Sequence, residues 1–454
     1  MTPTRTPMPA ALLCGGDAER LGYPKEMLRV DGAPLAVRLV ERLREAFDPV
    51  AVISNRPEFL AHCLDAPIHR DEFPGAGPLA GLHAGLKHAG AERCFFLACD
   101  MPLVHNALIE RIVQRALRSD APAVIAAAGG RRQPLCGVYA ASLVPALERR
   151  LAGGEDLSAN GFLDEIGPEI VEFEPSEAGC FRDVDAPEDL GMLREAFEEV
   201  EPLPVRTVPV PASGRAEDVV VEEWPAAVHV NGHRLVTVLC LPAAWREMAV
   251  GLAAYFGLVR RAEDVRELDV DYGARRIAME LDVTDDQIRS AAQILITSTC
   301  GASVYGGLTP PPAADAAPDF RVTRTHVLEC LKALRGMAPA FSRTGATHQA
   351  AFSDGGRIRL FFEDIGRHNA TDKVIGSALL SGIDLGRGVL MSTGRLSSEM
   401  VVKAARQAVP VLASPSAVTT NAIRLAEECV VTLVGFARGG RANVYTRAER
   451  VSDE

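Results

Sequence analysis

The chain has 454 residues, of which 48% are hydrophobic and 5% aromatic, and a formal net charge of −12. This length predicts two or three domains, and the aliphatic composition favours α/β layers over an all-β sandwich. The acidic balance argues against a nucleic-acid partner. The sequence has no apolar run of about 18 residues and no secretion signal at its start, so we expect no membrane span and a cytoplasmic location.

Strand and helix patterns alternate from residue 10 to about residue 198. Strands are predicted at Ala10–Cys14, Val50–Ser54, Cys94–Cys99, Pro122–Ala128 and Leu135–Ala140. A helix is predicted over Pro34–Phe47, where large apolar residues recur at every fourth position. This alternation indicates a parallel or mixed sheet with helices on both faces, and such sheets bind ligands at the carboxyl ends of their strands. Gly15, Gly16 and Asp100 fall at two of these ends.

A proline-rich stretch over residues 199–217 is predicted to be an extended linker between domains 1–198 and 218–454. The later part of the second domain alternates again. Strands are predicted there at Arg357–Ile365, Gly388–Ser392, Val409–Ser414, Val430–Phe436 and Ala442–Thr446, and helices at Asn369–Leu380, Ser397–Ala408 and Ala417–Cys429. The stretch 306–318, rich in proline and alanine, is predicted to be a loop.

The strongest chemical signal is the segment Leu12–Lys25, which has the pattern G-G-x-x-x-R-x-G-x-x-K. Two glycines directly after a strand allow backbone N–H groups to approach a phosphate chain closely. Arg20 and Lys25 add positive charge that suits a triphosphate. The pattern is neither the Walker phosphate loop nor the dinucleotide-binding fingerprint.

This segment resembles the signature of nucleotidyltransferases, and of molybdenum cofactor guanylyltransferases in particular. Further matches lie at Asp71–Gly81, Cys99–Pro102, Gln133–Leu135 and Phe181–Glu188. The resemblance implies a Rossmann-like, three-layer α/β domain that transfers GMP from GTP to the molybdopterin cofactor and releases pyrophosphate. The GTP contacts that it implies are Leu13, Cys14, Gly15, Lys25, Asn55, Asp71 and Asp100, with Asp100 also binding Mg²⁺.

From about residue 218 to residue 446 the chain resembles the formate dehydrogenase accessory sulfur-carrier family. The resemblance rests mainly on Thr344–His348, Glu363–Lys373 and Ser392–Arg395. It implies a cytidine-deaminase-like α/β domain preceded by a small α+β subdomain, although the zinc motifs of deaminases are absent from the sequence. The loop implied to hold molybdopterin guanine dinucleotide consists of Phe436, Ala437, Arg438, Gly439, Gly440 and Arg441. Arginine guanidinium groups can donate paired hydrogen bonds to a pyrophosphate, and glycine backbone lets the ligand approach closely.

Such families carry sulfur as a cysteine persulfide, and the candidate carrier is Cys300. It follows the mostly apolar, helix-like stretch Ile288–Ile296, and a thiolate at such a position can act as a nucleophile. The family pattern is C-x-x-C, whereas this chain has Ser303 in place of the second cysteine, which argues against a dithiol or disulfide mechanism and leaves a single-cysteine persulfide carrier open. The family implies a cysteine desulfurase as the sulfur donor and formate dehydrogenase as the recipient.

Two alternatives stay open. The C-terminal half would be a chaperone that binds the cofactor without transferring sulfur, and the missing second cysteine supports this alternative. The N-terminal half would be a sugar-nucleotide pyrophosphorylase, since its signature is shared broadly among nucleotidyltransferases. The resemblance of the C-terminal half argues against this second alternative.

Overall fold

The computed structural model describes residues 8–15, 20–153, 156–210, 217–291, 317 and 319–453. The chain forms two compact units, Met1–Val200 and Glu201–Glu454, each with its own sheets and core. Both units are mixed α/β, so the predicted fold class is confirmed. Within the described residues, no helix combines the length and the hydropathy needed to cross a bilayer.

The N-terminal unit contains nine strands and seven α-helices among its described residues. The strands are β1 (Ala10–Cys14), β2 (Arg29–Val30), β3 (Ala33–Pro34), β4 (Val50–Ser54), β5 (Ile68–His69), β6 (Arg93–Ala98), β7 (Ala123–Ala128), β8 (Arg131–Ala140) and β9 (Glu169–Phe173). The helices are α1 (Leu35–Ala46), α2 (Pro57–Leu60), α3 (Pro78–Ala89), α4 (Asn106–Ala116), α5 (Val144–Gly153), α6 (Ala159–Ile166) and α7 (Leu190–Leu193).

Seven of these strands form one mixed sheet in the order β5-β4-β1-β6-β8-β7-β9. The strands β5, β4, β1 and β6 are parallel, whereas β8 runs antiparallel between β6 and β7. Neighbouring residues of β6 face opposite layers: Phe95 stacks on Phe47 after α1, and Phe96 packs in the core beneath α3. An added Cβ at Gly85 of α3 would lie 2.3 Å from the Phe96 ring, so only glycine allows α3 to approach this closely.

Because β1 and β6 are adjacent and parallel, their carboxyl ends lie side by side. Gly15 follows β1, and Asp100 comes two residues after β6 ends. The helix α1 stands over the sheet because Leu35, Leu39 and Leu43 are fully buried along one of its sides. The layers of this unit therefore bring the two predicted site segments together at one edge of the sheet.

Part of the predicted linker over residues 199–217 is regular structure rather than free extended chain. Val205–Pro209 forms a strand (β10) that pairs antiparallel with Glu217–Val221 (β11). Val205 is buried, and Glu201 accepts a hydrogen bond from the backbone of Ala244 at 2.9 Å. The prolines do exclude helix, but an edge strand tolerates proline, which explains the difference. The described part of this stretch beyond Val200 belongs to the C-terminal unit.

The remaining elements of the C-terminal unit follow β11. The strands are β12 (Trp224–Val230), β13 (His233–Cys240), β14 (Val265–Asp271), β15 (Arg276–Leu281), β16 (Val322–Thr323), β17 (His348–Ser353), β18 (Ile358–Asp364), β19 (Val389–Ser392), β20 (Val411–Ala413), β21 (Thr432–Arg438), β22 (Arg441–Val444) and β23 (Val451–Ser452). The helices are α8 (Trp245–Tyr255), α9 (described over 285–291), α10 (Arg324–Ala333), α11 (Pro339–Thr344), α12 (Arg367–Ser381), α13 (Ser398–Arg406) and α14 (Thr420–Glu428).

Two sheets organise this unit. A four-stranded sheet has the order β13-β12-β15-β14, and together with α8 it forms the small α+β subdomain that the sequence predicts. A six-stranded sheet follows in the order β18-β17-β19-β20-β21-β22, with β19, β20 and β21 parallel. Since β17 runs antiparallel to β19, the start of β17 and the ends of β18, β19, β20 and β21 meet at one edge. We call it the carboxyl edge.

The two layers share one core through a close contact of α8 with α12. An added Cβ at Gly251 would lie 1.9 Å from the backbone oxygen of Asp372, and one at Gly376 would lie 1.8 Å from the backbone oxygen of Glu247. The backbones of the two helices therefore touch at these glycines. Buried side chains of both layers belong to the same hydrophobic cluster.

Candidate functional site

A cleft of about 730 Å³ opens at the carboxyl ends of β1, β4 and β6 in the N-terminal unit. This volume lies in the range of small-molecule sites. Its walls include every residue that the sequence predicts to contact GTP, namely Leu13, Cys14, Gly15, Lys25, Asn55, Asp71 and Asp100. The fold thus collects residues from four separate segments around one space.

The cationic centre of the cleft is Lys25. Its ammonium group lies 3.1 Å from a carboxylate oxygen of Asp100 and donates a second, short hydrogen bond to Asp185. Arg20 donates to the other oxygen of Asp185 at 2.6 Å. Burial alone would lower the pKa of Lys25, but the two carboxylates outweigh it and raise that pKa. Lys25 therefore stays charged, as a phosphate-binding group must.

The opposite wall of the cleft carries a polar pair after β4 and β5. The amide of Asn55 donates to Oδ2 of Asp71 at 2.6 Å, and the backbone N–H of Asp71 lies 3.4 Å from the amide oxygen of Asn55. The other carboxylate oxygen of Asp71, Oδ1, is buried and has no hydrogen-bond partner among the described residues. An unpaired buried acceptor is costly, so this oxygen is suited to a donor group of a ligand.

Two carboxyl groups near the cleft were missed by sequence reasoning. Glu26 lines the cleft at 6% exposure, and burial raises its pKa. Asp183 has its pKa raised to about 6 by partial burial and by the nearby charges of Asp100 and Asp185. A glutamate beside Lys25 looks like an ordinary surface residue in the sequence, and only the fold shows that it points inward.

The thiol of Cys14 is not a nucleophile in this cleft. A hydrogen bond with the thiol of Cys99 and burial hold the pKa of Cys14 well above its usual range. A protonated, buried thiol is inert. Cys14 therefore contributes its position at the end of β1, beside Gly15, rather than reactive sulfur.

In the C-terminal unit, the predicted cofactor loop Phe436–Arg441 is a hairpin at the carboxyl edge, in which Phe436–Arg438 end β21, Gly439 and Gly440 form the turn, and Arg441 begins β22. Phe436 adopts a left-handed backbone (φ 48°) at an irregularity in the strand pairing, and its side chain is 36% exposed. Gly439 and Gly440 follow with φ of 61° and 79°, which explains the glycine pair at this tight turn. The guanidinium of Arg438 lies 5.9 Å from the centre of the Phe436 ring. The loop therefore presents an aromatic ring and a cation together.

The segment Glu363–Asn369 fixes the start of α12 at the same edge. The Glu363 carboxylate accepts hydrogen bonds from the backbone N–H groups of Ala340 and Phe341, at 2.7 and 2.9 Å, and so caps α11. Asp364 is fully buried and pairs with the buried Lys373 at 2.6 Å. It also accepts from Asn369 at 2.9 Å, which ties down the turn before α12. Glu363, Asp364 and Asn369 therefore stabilise the local fold around the starts of α11 and α12.

Two histidines lie at this edge in neutral form. His348 is 3.2 Å from the hydroxyl of Thr393, and burial together with Arg367 lowers its pKa. His368 is 3.2 Å from Glu399, yet burial, followed by Lys403 and Arg367, lowers its pKa to about 3.

The low pKa of His368 predicts an acid-sensitive C-terminal unit. Its folded pKa of about 3 lies below the ordinary 6.5, so its contribution to stability is complete above pH 6.5 and is lost as the pH falls towards 3. Between pH 7.5 and pH 5 we expect a loss of about 1–2 kcal/mol in the free energy of unfolding. Both tryptophans of the chain, Trp224 and Trp245, lie in this unit, so urea titrations followed by their fluorescence report it.

A His368→Gln variant is the control for this measurement. Because glutamine does not titrate, the variant should lose about 1–2 kcal/mol less than the parent over the same pH interval. Equal losses in the two proteins would show that other groups cause the acid sensitivity.

Cys300 and Ser303 lie outside the described residues, as does the predicted loop 306–318 apart from Ala317. The predicted helix over Ile288–Ile296 is described only as far as Ala291, where the chain is helical. Among the described residues, no three His, Cys, Asp or Glu side chains are arranged to hold a metal ion.

Comparisons with known proteins match each of the two units to a known family. Residues 221–452 match the model of the FdhD/NarQ family, and residues 10–166 match the model of the MobA-like NTP transferase domain. The sulfur carrier protein FdhD of Staphylococcus haemolyticus is 35% identical over 238 residues, which cover 52% of this chain and 90% of the relative.

Two solved structures are similar to separate parts of the chain. A putative formate dehydrogenase accessory protein from Desulfotalea psychrophila is 25% identical with a TM-score of 0.43, covering 54% of this chain and 98% of its own. The molybdopterin-guanine dinucleotide biosynthesis protein A from Archaeoglobus fulgidus is 24% identical with a TM-score of 0.36, covering 42% of this chain and 97% of its own. The family match spans half of the chain, so the protein belongs to the FdhD/NarQ family and carries a MobA-like NTP transferase domain ahead of the family region.

Proposed function

We propose that the N-terminal unit transfers GMP from GTP to the terminal phosphate of the molybdopterin cofactor and releases pyrophosphate. The observation that carries this proposal is the single cleft that gathers all seven predicted GTP contacts. Lys25 supplies positive charge on the side of the cleft that adjoins β6, and Asp71 offers a free acceptor on the side that adjoins β5. A nucleoside triphosphate has the same polarity, with anionic phosphates at one end and hydrogen-bond donors on its base and ribose.

The cleft also fits a magnesium ion bound with the nucleotide. Asp100 presents a hard carboxylate oxygen beside Lys25, and its side chain is 27% exposed, so water and phosphate oxygens can reach the same place. With so few protein carboxylates, most of the ligands of the ion would come from phosphate and water. Magnesium supplies neutralisation of the charge that builds up on the reacting phosphate.

The chemistry demands little else of the protein. The attacking phosphate is already anionic, so no general base is needed, and the chain contributes position and charge. Lys25 would leave Asp100 and Asp185 to bind the phosphates of GTP. Asp185 would then keep its hydrogen bond with Arg20, which holds the segment 183–185 beside the cleft. The pair Asn55–Asp71 would orient the nucleoside.

The direct test is pyrophosphate release from GTP in the presence of Mg²⁺ and molybdopterin cofactor. We expect release to depend on the cofactor. Release that depends instead on a sugar 1-phosphate would replace this proposal with the pyrophosphorylase alternative. Release with CTP as fast as with GTP would contradict guanylyl specificity.

The Asp71→Asn variant tests the nucleoside contact. Asparagine keeps the size of the side chain but turns one acceptor into a donor, so a donor group of GTP is left facing a donor. We expect GTP to bind about 10–100-fold more weakly, measured as the Kd by titration calorimetry, since such a mismatch costs about 1–3 kcal/mol. Asp164→Asn, at an exposed position outside the cleft, is the matched control. Equal GTP affinity in both variants would remove Asp71 from the site.

For the C-terminal unit we propose binding of molybdopterin guanine dinucleotide and delivery of sulfur for formate dehydrogenase. The loop Phe436–Arg441, with its exposed ring, two arginines and two left-handed glycines, supports the binding part. The similarity to proteins named sulfur carrier protein FdhD supports the delivery part. Cys300 would be the carrier, with its thiolate attacking the outer sulfur of a cysteine desulfurase persulfide. The desulfurase thiolate leaves, and Cys300 gains the sulfur as a persulfide.

Mass spectrometry under non-reducing conditions tests the sulfur step. The purified chain is incubated with cysteine and an active cysteine desulfurase, and we expect one added sulfur on Cys300. The Cys300→Ser variant should gain none and should fail to mature formate dehydrogenase. A variant that still matures the enzyme would instead support the chaperone alternative, in which the unit binds the cofactor without carrying sulfur.

A further inference from the structure

Two guanidinium groups at the carboxyl edge have no ion-pair partner in the described part of the chain. Arg367 begins α12, and Arg395 lies in the turn after β19. Neither forms a salt bridge or a side-chain hydrogen bond with a described residue. Arg395 is exposed, whereas Arg367 is partly buried and close enough to Arg395 that the second charge contributes to lowering the pKa of Arg367, after burial. Like charges held together without a counterion are unfavourable in the free protein.

The position of Arg367 is fixed by its surroundings. An added Cβ at Gly394 would lie 2.3 Å from Cδ and 2.7 Å from Cβ of Arg367, so the arginine stem lies against the bare backbone of that glycine. The Gly394 carbonyl accepts a hydrogen bond from Ser414 at 2.7 Å. The backbone N–H of Thr393 bonds to Gln349 at 2.9 Å. The turn that carries Arg395 is therefore held by both neighbouring strands, and the stem of Arg367 packs against it.

The nearby charges leave a positive surplus at this place. Lys373 is neutralised by Asp364, and Lys403 by Asp372. His348 and His368 are neutral at physiological pH. Glu399 is the acidic side chain that faces Arg367, and it lies 3.2 Å from His368. Among the residues that the structure describes, two guanidinium groups against one carboxylate leave one positive charge uncompensated.

Two hydrogen-bond donors on these neighbouring segments also lack partners. Nε of Arg367 and the hydroxyl of Ser397 are both buried and unbonded among the described residues. Ser397 precedes the nine-residue helix α13 and does not cap it with its side chain. Free backbone N–H groups at the start of a helix favour anions. Gly394 lies against the stem of Arg367, and His368 lies 3.2 Å from Glu399, so the start of α12 lies beside the segment 394–399. The unbonded donors, the two arginines and the start of α13 therefore lie on neighbouring segments.

We propose that Arg367, Arg395 and Ser397 form a diphosphate-binding cradle, separate from the loop Phe436–Arg441. The ligand class is a diphosphate, supplied either by a guanine nucleotide cofactor or as a free anion. Guanidinium forks bind phosphate oxygens in pairs, and the Ser397 hydroxyl with the start of α13 would take the remaining oxygens. The inference rests on the proposed cofactor binding by this unit and adds the residues that would hold the phosphates.

The test measures metal-free GDP binding by titration calorimetry. Because the N-terminal cleft is also expected to bind guanine nucleotides, the parent protein is the full-length Lys25→Ala/Asp71→Asn variant. Adding Arg395→Ala, at an exposed position, should weaken GDP binding at least tenfold and leave guanosine binding unchanged. Adding Arg387→Ala is the matched control, since Arg387 is exposed and precedes β19 at the opposite edge of the same sheet.

The possible results distinguish the diphosphate-binding cradle from the proposed cofactor binding by this unit. GDP binding that is equal after Arg395→Ala and Arg387→Ala, but weaker after Arg438→Ala, would overturn the cradle and leave cofactor binding intact. If the parent variant does not bind GDP, the result would contradict cofactor binding by this unit and, with it, the proposed cradle. If the cradle exists, tighter binding of GDP than of inorganic pyrophosphate supports a nucleotide ligand, and equal binding supports a free diphosphate.

Discussion

Replacing Asp100 with alanine is expected to lower kcat for guanylyl transfer by about 10²–10³-fold, the usual cost of losing one group that stabilises charge in a transition state. Asp100 follows β6 and is one of the two carboxylates that contact Lys25, and the proposed metal position depends on its oxygen. Its loss would also free Lys25 from one carboxylate, so GTP binding should change far less than kcat. Steady-state pyrophosphate release gives both quantities.

Asp120→Ala is the control for this experiment. Asp120 is an exposed carboxylate outside the cleft, so its loss changes the net charge by the same amount without touching the site. We expect kcat to stay within about twofold of the parent. A similar, small loss of activity in both variants would mean that Asp100 does not act on the reacting phosphate.

Replacing Lys403 with methionine is expected to lower the free energy of unfolding of the C-terminal unit by about 3–5 kcal/mol, as when one partner of a buried ion pair is removed. Lys403 and Asp372 are each 3% exposed at their side chains and form a short ion pair between α13 and α12. The Lys403 ammonium also lies 4.1 Å from the centre of the Tyr255 ring. Methionine keeps the stem but leaves the Asp372 carboxyl alone in the core.

A double variant separates the pair from its packing. Lys403→Met/Asp372→Leu removes both charges, and we expect it to recover most of the lost stability. Arg424→Met, which breaks an exposed pair with Glu428 on α14, should cost less than about 1 kcal/mol. Urea unfolding followed by the fluorescence of Trp224 and Trp245 measures all three. A loss below about 1 kcal/mol for Lys403→Met would show that Asp372 finds another partner or that water reaches it.

The sequence predicts the N-terminal sheet well where local pattern decides the structure. The strands Ala10–Cys14 and Val50–Ser54 have the predicted bounds, because each is a short apolar run. The helix Leu35–Ala46 lies one residue inside its predicted limits at each end. The start of β8 at Arg131 was missed, since its polar first half pairs with β7 without being buried.

The residues of the candidate cleft could be predicted from the sequence motifs, whereas the buried ion pairs of the C-terminal unit could not. A glycine pair after a strand and an aspartate after another must meet when the strands are parallel neighbours, so Gly15 and Asp100 were predictable. Lys373 and Lys403 each look like solvent-facing helix residues in the sequence. Their burial depends on partners 9 and 31 residues away in the chain, at Asp364 and Asp372, and no local pattern carries that information.

The glycine contact of α8 with α12 limits how the C-terminal unit can open. Helices that touch through their backbones have no side chains between them to rearrange, so sliding or tilting would create steric overlap at once. We therefore expect the four-stranded and six-stranded sheets to move as one rigid body. Uptake and release of a bulky cargo would have to rely on local movement of the loops at the carboxyl edge. Such a unit would hold its cargo in a rigid site bordered by loops that move, rather than by closure of one layer onto the other.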